Sequence, residues 1–205
     1  MREDEIKLSV LEPQDSTTSI SFAALEATVQ NRVLSTGDST QGEEAFVGAD
    51  GLRITRSKVS TNNTGVSAHD VAAFILKQQG EMTAMKLQKL VYYSQAWSLV
   101  WDDEPLFGEE IEAWANGPVV RALYARHQGQ FKVREWNGNP EKLSDTQRET
   151  IMKVLEYYGD MPSQVLSDLS HREEPWLKAR EGLAPTERGR RVITSAAMAE
   201  YYSRL

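Results

Sequence analysis

Three histidines are the residues of this sequence best suited to bind a metal or to transfer a proton. They are His69, His127 and His171. No two of them lie four residues apart, so the sequence lacks the histidine pair with which a helix binds zinc. Glu173 and Glu174 follow His171 closely and could bring a carboxylate to its imidazole. We favour a histidine at a helix end, oriented by a carboxylate, over a metal ligand or an acid–base pair.

The sequence contains no motif for the other common kinds of catalytic chemistry. The chain has no cysteine, which excludes disulfides, thiol catalysis and cysteine-bound zinc. No G-x-S-x-G motif, phosphate-binding loop or dinucleotide fingerprint is present. The Asn-Gly-Pro sequence at 116–118 is typical of a turn. The sequence therefore predicts a protein that is not an enzyme and that needs neither a metal nor a cofactor.

The charge balance favours a protein partner over nucleic acid. The formal net charge is −7, and the short basic run of Arg188, Arg190 and Arg191 does not offset it. We interpret this run as a solvated face. No apolar run of 18 residues is present, and the N-terminus is acidic where a secretory signal would be basic. We therefore expect a cytoplasmic protein with no membrane contact, and its oligomeric state stays open.

The aromatic residues divide the chain into two parts. Residues 1–65 contain two of the seventeen aromatic residues and sixteen Ser or Thr, whereas residues 66–205 contain every Trp and Tyr. A segment with so few large side chains cannot form a core of its own. The sequence therefore predicts one compact domain at 66–205 and an N-terminal extension at 1–65.

The extension has local patterns of its own. A helix is predicted at 21–35, and a hairpin that turns at Asp50-Gly51 at 45–58. The helix carries a narrow apolar stripe formed by Phe22, Leu25, Val29 and Val33. A lone helix of this length is marginal in water. Two interpretations stay open: a disordered leader, or a segment that docks on its own domain or on a partner.

The domain is predicted to be mostly α-helical with a small β-sheet, an α+β fold. Ser67 and Ser144 begin capping sequences, and Thr83 is placed to cap a helix that ends near Trp101. Pro118 is suited to the first turn of another helix. Further helices are predicted at 163–170, 175–181 and 195–204, and strands at 110–115 and 132–136.

The helix with the sequence MKLQKLVYYSQAW, residues 85–97, is apolar around most of its circumference. Such a helix is covered on more than one side, so we expect Leu90 and Trp97 in the core. Lys86, Lys89 and Tyr93 share a flank of this helix. They are either exposed anchors for a partner or internal anchors, for example with Lys89 against Glu112.

Three separated motifs resemble the Panacea domain, the SocA-like antitoxin family, over about 66–205. The first is the lysine-rich helix with its tyrosine pair, the second is Glu-Ala-Trp followed by Gly-Pro-Val, and the third is a histidine before Pro-Trp. The motif residues that we expect to be structural are Leu87, Leu90, Tyr92, Trp97, Glu112, Trp114, Gly117, Pro118, His171, Pro175 and Trp176.

The resemblance implies an antitoxin that binds and neutralises a cognate protein toxin. The toxins of such proteins are diverse and include small alarmone-synthetase-like enzymes and others that block translation. An acidic binder would be steered to the basic site of such an enzyme. A proteolytic adaptor that presents the toxin to a protease is the main alternative. A DNA-binding autorepressor is disfavoured by charge. The candidates for toxin contact are the stripe of the extension together with Lys86, Lys89 and Tyr93.

Overall fold

The computed structural model describes residues 65–205. The helix predicted at 21–35, with its stripe of Phe22, Leu25, Val29 and Val33, and the hairpin predicted at 45–58 lie outside the described residues.

Seven α-helices and four short strands form the described domain, which confirms the mostly α fold with a small β component. The helices are α1 (Ala68–Gln79), α2 (Ala84–Trp101), α3 (Arg121–His127), α4 (Asp145–Tyr158), α5 (Ser163–Arg172), α6 (Glu174–Ala179) and α7 (Ser195–Tyr202). The strands are β1 (Met82–Thr83), β2 (Ile111–Trp114), β3 (Gly117–Val120) and β4 (Lys132–Val133), and a 3-10 turn spans Pro140–Lys142.

The predicted capping residues begin their helices. The hydroxyl of Ser67 accepts from the Asp70 amide, and the Asp70 carboxylate accepts from the Ser67 amide at 2.9 Å, which completes a capping box. Ser144 and Gln147 form the same reciprocal pair at the start of α4. Asp70 also accepts from the main chain of Asn139 at 2.7 Å, so one cap joins α1 to a distant loop.

The strands form two small antiparallel pairs. β1 pairs with β4, and β2 pairs with β3 in the register Glu112 to Val119. Residues 191–193, the returning segment, lie along the other edge of β2, since the Ala113 amide donates to the Arg191 carbonyl at 2.8 Å. The Ile193 amide donates to the Ile111 carbonyl at 2.8 Å in the same way. The strand predicted at 110–115 is confirmed, whereas the one predicted at 132–136 ends at Val133.

The prediction that Pro118 begins a helix is wrong. Pro118 lies in β3 opposite Ala113, and helix α3 begins only at Arg121. Pro-Val-Val is locally compatible with either state, but β3 pairs only with β2 among the described residues, so proline occupies an edge strand. The long-range bonds made by side chains of α2, described below, favour the extended conformation.

Helix α2 lies at the centre of the described domain and packs against α1, α4, α5, α7 and β3. Leu87 and Leu90 are fully buried and Trp97 is 3% exposed, as the apolar pattern predicted. Because helices cover α2 on several sides, its polar side chains are also enclosed, and they determine how the neighbouring elements are held. None of the described helices combines the length and apolarity needed to cross a bilayer.

Candidate functional site

Lys89 is an internal anchor of the β2–β3 hairpin. Its side chain is 1% exposed, and its ammonium donates to the carbonyls of Asn116 at 2.9 Å and Pro118 at 3.1 Å. Gly117, between these two residues, has φ +99°, and a Cβ there would collide with the lysine ammonium. The lysine therefore occupies the space that the glycine leaves open.

Two glutamines of α2 hold main chain in the same manner. Gln88 donates to the Val120 carbonyl at 3.2 Å and accepts from the Val120 amide at 2.8 Å. Gln95 makes the corresponding pair of bonds with Phe107, at 3.2 and 3.1 Å. Each buried side-chain amide thus bonds to both the N–H and the C=O of one residue, as a neighbouring strand would. These main-chain groups would otherwise be unpaired.

Glu173 accepts hydrogen bonds from two buried tyrosines at the junction of α5 and α6. The Tyr93 hydroxyl donates to Oε1 at 3.2 Å, and the Tyr202 hydroxyl donates to Oε2 at 2.6 Å. Tyr93 also stacks on Tyr158 of α4, with ring centroids 4.2 Å apart and planes 6° from parallel. This carboxylate therefore joins three parts of the fold in the interior.

Burial shifts the proton equilibria of the lysine and the glutamate towards their neutral forms. Desolvation lowers the pKa of Lys89 to about 7, against a smaller opposite effect of the Glu173 charge. Desolvation raises the pKa of Glu173 to about 7, opposed by the bonds from Tyr202 and Tyr93 and by the charge of Lys89. Shifted pKa values are common in active sites, but both groups here are enclosed and bonded to the protein itself.

The rings of His69 and His127 both lie near Trp136, with centroids 6.0 and 6.3 Å away, whereas His171 belongs to helix α5. His69 accepts from the Trp136 indole at 3.1 Å, and His127 meets the Gln88 amide at 2.9 Å. His171 lies against Trp176, with ring centroids 4.5 Å apart, and its Nε2 is buried without a hydrogen-bond partner. Burial is the main cause that lowers the pKa of each of the three imidazoles.

Glu173 bonds to tyrosines and Glu174 pairs with Lys178 and Arg204, so neither expected carboxylate serves His171. The carboxylate whose charge acts on this imidazole, opposing the effect of burial on its pKa, is that of Asp168. The described residues contain no group of three or more His, Asp or Glu side chains arranged to hold a metal ion.

An open pocket lies beside strand β2. Its cavity volume is about 310 Å³, and it is lined by Glu112, Trp114, Arg121, Tyr124, Ala125, Gln128, Arg188, Gly189 and Arg190. Two of these residues belong to strand β2, and residues 188–190 precede the returning segment. The others lie in helix α3 or directly after it. We call it the arginine pocket, because three of its side chains are guanidiniums.

A buried arginine fixes the loop that carries two of these guanidiniums. Arg180 is 6% exposed and donates to the Ala113 carbonyl at 3.0 Å. It also donates to the loop carbonyls of Ala184 at 2.8 Å, Pro185 at 3.3 Å and Glu187 at 2.9 Å. A planar guanidinium with five donors suits this arrangement of carbonyls, so the loop is bound to the edge of β2.

Gly189 brings the loop into close contact with β2. The residue is buried, and a Cβ there would collide with the Ala113 carbonyl and crowd the Arg180 guanidinium. Arg188 and Arg190, on either side, are exposed. The contact of the glycine with the strand therefore places two arginines at the rim of the pocket.

Glu112 and Trp114 form the strand side of the pocket. Glu112 is 4% exposed, accepts from the Trp114 indole at 2.6 Å and lies 3.6 Å from the Arg121 guanidinium. The Trp114 ring meets Tyr124 edge to face, with centroids 4.6 Å apart. The aromatic pair and the three arginines give the pocket both apolar and positively charged walls.

Residues 87–177 match the family model described as antitoxin SocA-like, Panacea domain. This region is a Panacea domain. Searches of the curated proteins and of the solved structures returned no significant match. The matched region contains most of the lysine-rich helix, the β2–β3 hairpin and the His-to-Pro-Trp segment. The family assignment expected from the sequence is therefore confirmed for these residues, and the domain is antitoxin-like.

The family-motif residues of the Panacea domain lie together around α2 and the β2–β3 hairpin. Leu87, Leu90 and Tyr92 are fully buried, and Pro118 and Pro175 are buried as well. Trp176 is half-buried and donates to the Trp114 carbonyl at 2.9 Å, which ties α6 to the end of β2. These contacts are consistent with the structural roles expected of the motif.

The expectation of an exposed flank on α2 does not hold for two of its three residues. Lys89 and Tyr93 are 1% and 0% exposed, so neither offers a surface to a partner in this structure. The internal alternative describes Lys89, although its acceptors are two carbonyls and not Glu112. Burial by β3 and α4 is a tertiary effect that the helix pattern cannot reveal. Lys86 is half-exposed and stays a candidate.

The arginine pocket was not predicted from the sequence. Arg188 and Arg190 were expected to form a solvated face, Tyr124 was expected only as part of a helix, and no role was predicted for Arg121 or Arg180. One signal was present: Arg-Gly-Arg at 188–190 precedes the β-branched pair Val192-Ile193. That pattern is typical of a tight approach to a strand, with side chains on either side of a glycine.

Proposed function

We propose that this Panacea-domain protein is an antitoxin that neutralises a cognate protein toxin by binding it directly. The proposal rests first on the antitoxin-like family of residues 87–177. The observation that supports it most strongly is that the polar residues fall into two groups, one buried and one at an open pocket. The buried ones hold the fold together, whereas the arginine pocket presents Trp, Tyr and Arg side chains at an open rim. These three residue types are the most enriched at the energetic centres of protein interfaces.

The charge of the chain suits a toxin with a basic active site. A net charge of −7 favours long-range attraction to an enzyme that handles nucleotides or RNA, since such enzymes carry positive surfaces. An alarmone-synthetase-like enzyme or another translation-blocking toxin is such a partner. The proposed neutralisation takes place in the cytoplasm, where targets of this kind are found.

Co-expression tests the proposal. The protein encoded beside this chain is produced alone and together with it, in a normal host and in a protease-deficient host. Direct neutralisation predicts that growth is restored in both hosts and that the two proteins co-purify at a fixed ratio. Restoration that disappears in the protease-deficient host would instead support a proteolytic adaptor. Duplex DNA binding as strong as toxin binding at physiological salt would support an autorepressor.

We further propose that the N-terminal extension contributes to the choice of toxin. Its residues 1–65 carry ten acidic and six basic side chains, and the apolar stripe on its predicted helix cannot be buried by that helix alone. A chain that lacks residues 1–60 should fold and fail to neutralise, and Leu25→Asp and Val29→Asp should fail in the same way. A folded truncation that neutralises fully would remove the extension from the interface.

A further inference from the structure

The arginine pocket is a local positive site on an acidic chain. Its lining contains three arginines and one glutamate, a formal charge of +2, whereas the whole chain carries −7. The single carboxylate, Glu112, faces Arg121 at 3.6 Å. Arg188 and Arg190 form no ion pair with any of the described residues, so two guanidiniums at the rim keep their full capacity to bind an anion.

The frame that carries these two arginines is built before any partner arrives. Main-chain bonds of 2.8 Å fix the returning segment to β2, and Gly189 allows the close approach just before it. The four carbonyls bound by Arg180 hold the preceding loop. A preformed frame lowers the ordering cost of binding, because less chain entropy is lost when a partner docks.

The openness of the site favours a protein segment over a free small molecule. A cavity of about 310 Å³ lies at the small end of the range for ligand pockets. The heads of Arg188 and Arg190 are exposed and not enclosed, so a free anion would be held by solvated charges only. A protein segment gains further contact area from the Trp114–Tyr124 pair, and it excludes water from the arginines as it docks.

We propose that the arginine pocket receives an acidic side chain on the surface of the toxin. A carboxylate between Arg188 and Arg190 can accept paired hydrogen bonds from guanidiniums, which are stronger than bonds between neutral groups. The acidic remainder of the chain repels such a residue elsewhere, so the pocket also fixes the register of docking. The partner thus combines a mainly basic surface with one acidic anchor. This inference rests on the proposed function.

The purified protein encoded beside this chain is the probe for a calorimetric titration. The double variant Arg188→Glu/Arg190→Glu should lose at least about 30-fold in affinity, as expected at an energetic centre. The double variant Arg126→Glu/Arg134→Glu is the matched control, since both arginines are exposed and neither lines the pocket. The control should change affinity by less than about threefold. Melting temperatures must stay at the wild-type value for both variants.

A charge exchange identifies the anchor. Acidic surface residues of the partner are changed to lysine one at a time. One of these substitutions should weaken binding of the partner to the wild-type chain and restore its binding to the double glutamate variant. Unchanged affinity of the double variant, in a complex that the wild type does form, would overturn the pocket assignment alone. No complex with the wild type would overturn the proposed function as well.

ATP and inorganic phosphate serve as competing probes. The proposal expects neither to bind at micromolar concentration. Tight ATP binding that disappears in the double variant, together with unchanged toxin affinity, would make the pocket a nucleotide site and overturn the proposal.

Discussion

The Tyr202 hydroxyl donates to the Glu173 carboxylate at 2.6 Å, which joins the last helix to the α5–α6 junction. Tyr93 of the central helix donates to the other oxygen of the same carboxylate at 3.2 Å. One buried carboxylate therefore accepts bonds from two helices that are far apart in sequence. Because its charge is poorly solvated, its proton equilibrium is coupled to the stability of the fold.

Glu173 should make the domain less stable as the pH rises towards neutrality. Burial raises the pKa of Glu173 from about 4.5 to about 7, so the folded state holds a proton that the unfolded state has already lost. The stability of the wild type, relative to Glu173→Gln, should therefore fall as pH rises from about 5 to about 7. Urea unfolding of both proteins at several pH values in this range measures the difference.

Glu174→Gln is the control for this experiment. Its carboxylate is solvent-accessible and pairs with Lys178 and Arg204, and these contacts lower the pKa of Glu174. A lowered pKa gives stability that is present at higher pH and lost on acidification, so this variant should show no decline of the kind expected for Glu173. A constant difference between wild type and Glu173→Gln from pH 5 to 7 would contradict the prediction.

Gly117→Ala should destabilise the domain more than Gly129→Ala does. Both glycines have positive φ, +99° and +84°, so both substitutions strain the backbone. Only at Gly117 does the new Cβ also meet the buried Lys89 ammonium, whereas nothing lies within 4 Å at Gly129. We expect about 1–2 kcal/mol at Gly129 and an additional 1–3 kcal/mol, approximately, at Gly117. Equal losses of unfolding free energy in denaturant melts would show that the Lys89 side chain moves aside at no cost.

Trp97→Ala and Trp114→Ala should separate stability from binding. Trp97 is 3% exposed, stacks on Trp101 with centroids 4.7 Å apart and donates to the Tyr158 hydroxyl at 3.3 Å. Its loss should cost about 3–5 kcal/mol. Trp114 is half-buried at the arginine pocket, so its truncation should cost less stability and more toxin affinity. Melting curves and titrations that rank the two variants alike would contradict this division.

The parts of the fold that local chemistry determines were predictable from the sequence. Ser67 with Asp70, and Ser144 with Gln147, begin helices through bonds that span only three residues. The conformation at Pro118 was not predictable in this way. Its carbonyl is bound by Lys89, 29 positions earlier, and the neighbouring Val120 is bound at both main-chain groups by Gln88. Such tertiary bonds decide between a helix and a strand where local preference is balanced.

The candidate site was less predictable than the fold, because its residues have no shared local pattern. Arg188 and Arg190 lie at the pocket because of two distant contacts. Arg180 binds the Ala113 carbonyl, 67 positions earlier, and the returning segment pairs with β2. Conversely, the sequence left Lys89 open between an exposed and an internal anchor, although lysine is rarely buried. Its enclosure depends on the two carbonyls of the hairpin, which no helix pattern contains.

Arg180→Lys should loosen the loop that builds the arginine pocket while most of the fold stays intact. Lysine keeps the charge, but its single ammonium cannot reach all four carbonyls that the planar guanidinium binds, so the buried Ala113 carbonyl and the exposed loop carbonyls cannot all keep a donor. A buried acceptor left unpaired costs roughly 1–3 kcal/mol, whereas the exposed loop carbonyls can bond to water, so we expect a loss of about 1–3 kcal/mol.

Hydrogen exchange gives the local measurement. The amides of Ala113 and Ile193, which pair β2 with the returning segment, should exchange faster in the variant, whereas the Val71 amide in α1 should not. Arg172→Lys, at an exposed position near the end of α5, is the control and should match the wild type. If Ala113 and Ile193 stayed as protected as in the wild type, the loop would be held by its strand pairing alone. In that case Arg180 would have no part in positioning Arg188 and Arg190, and toxin affinity should be unaffected by the substitution.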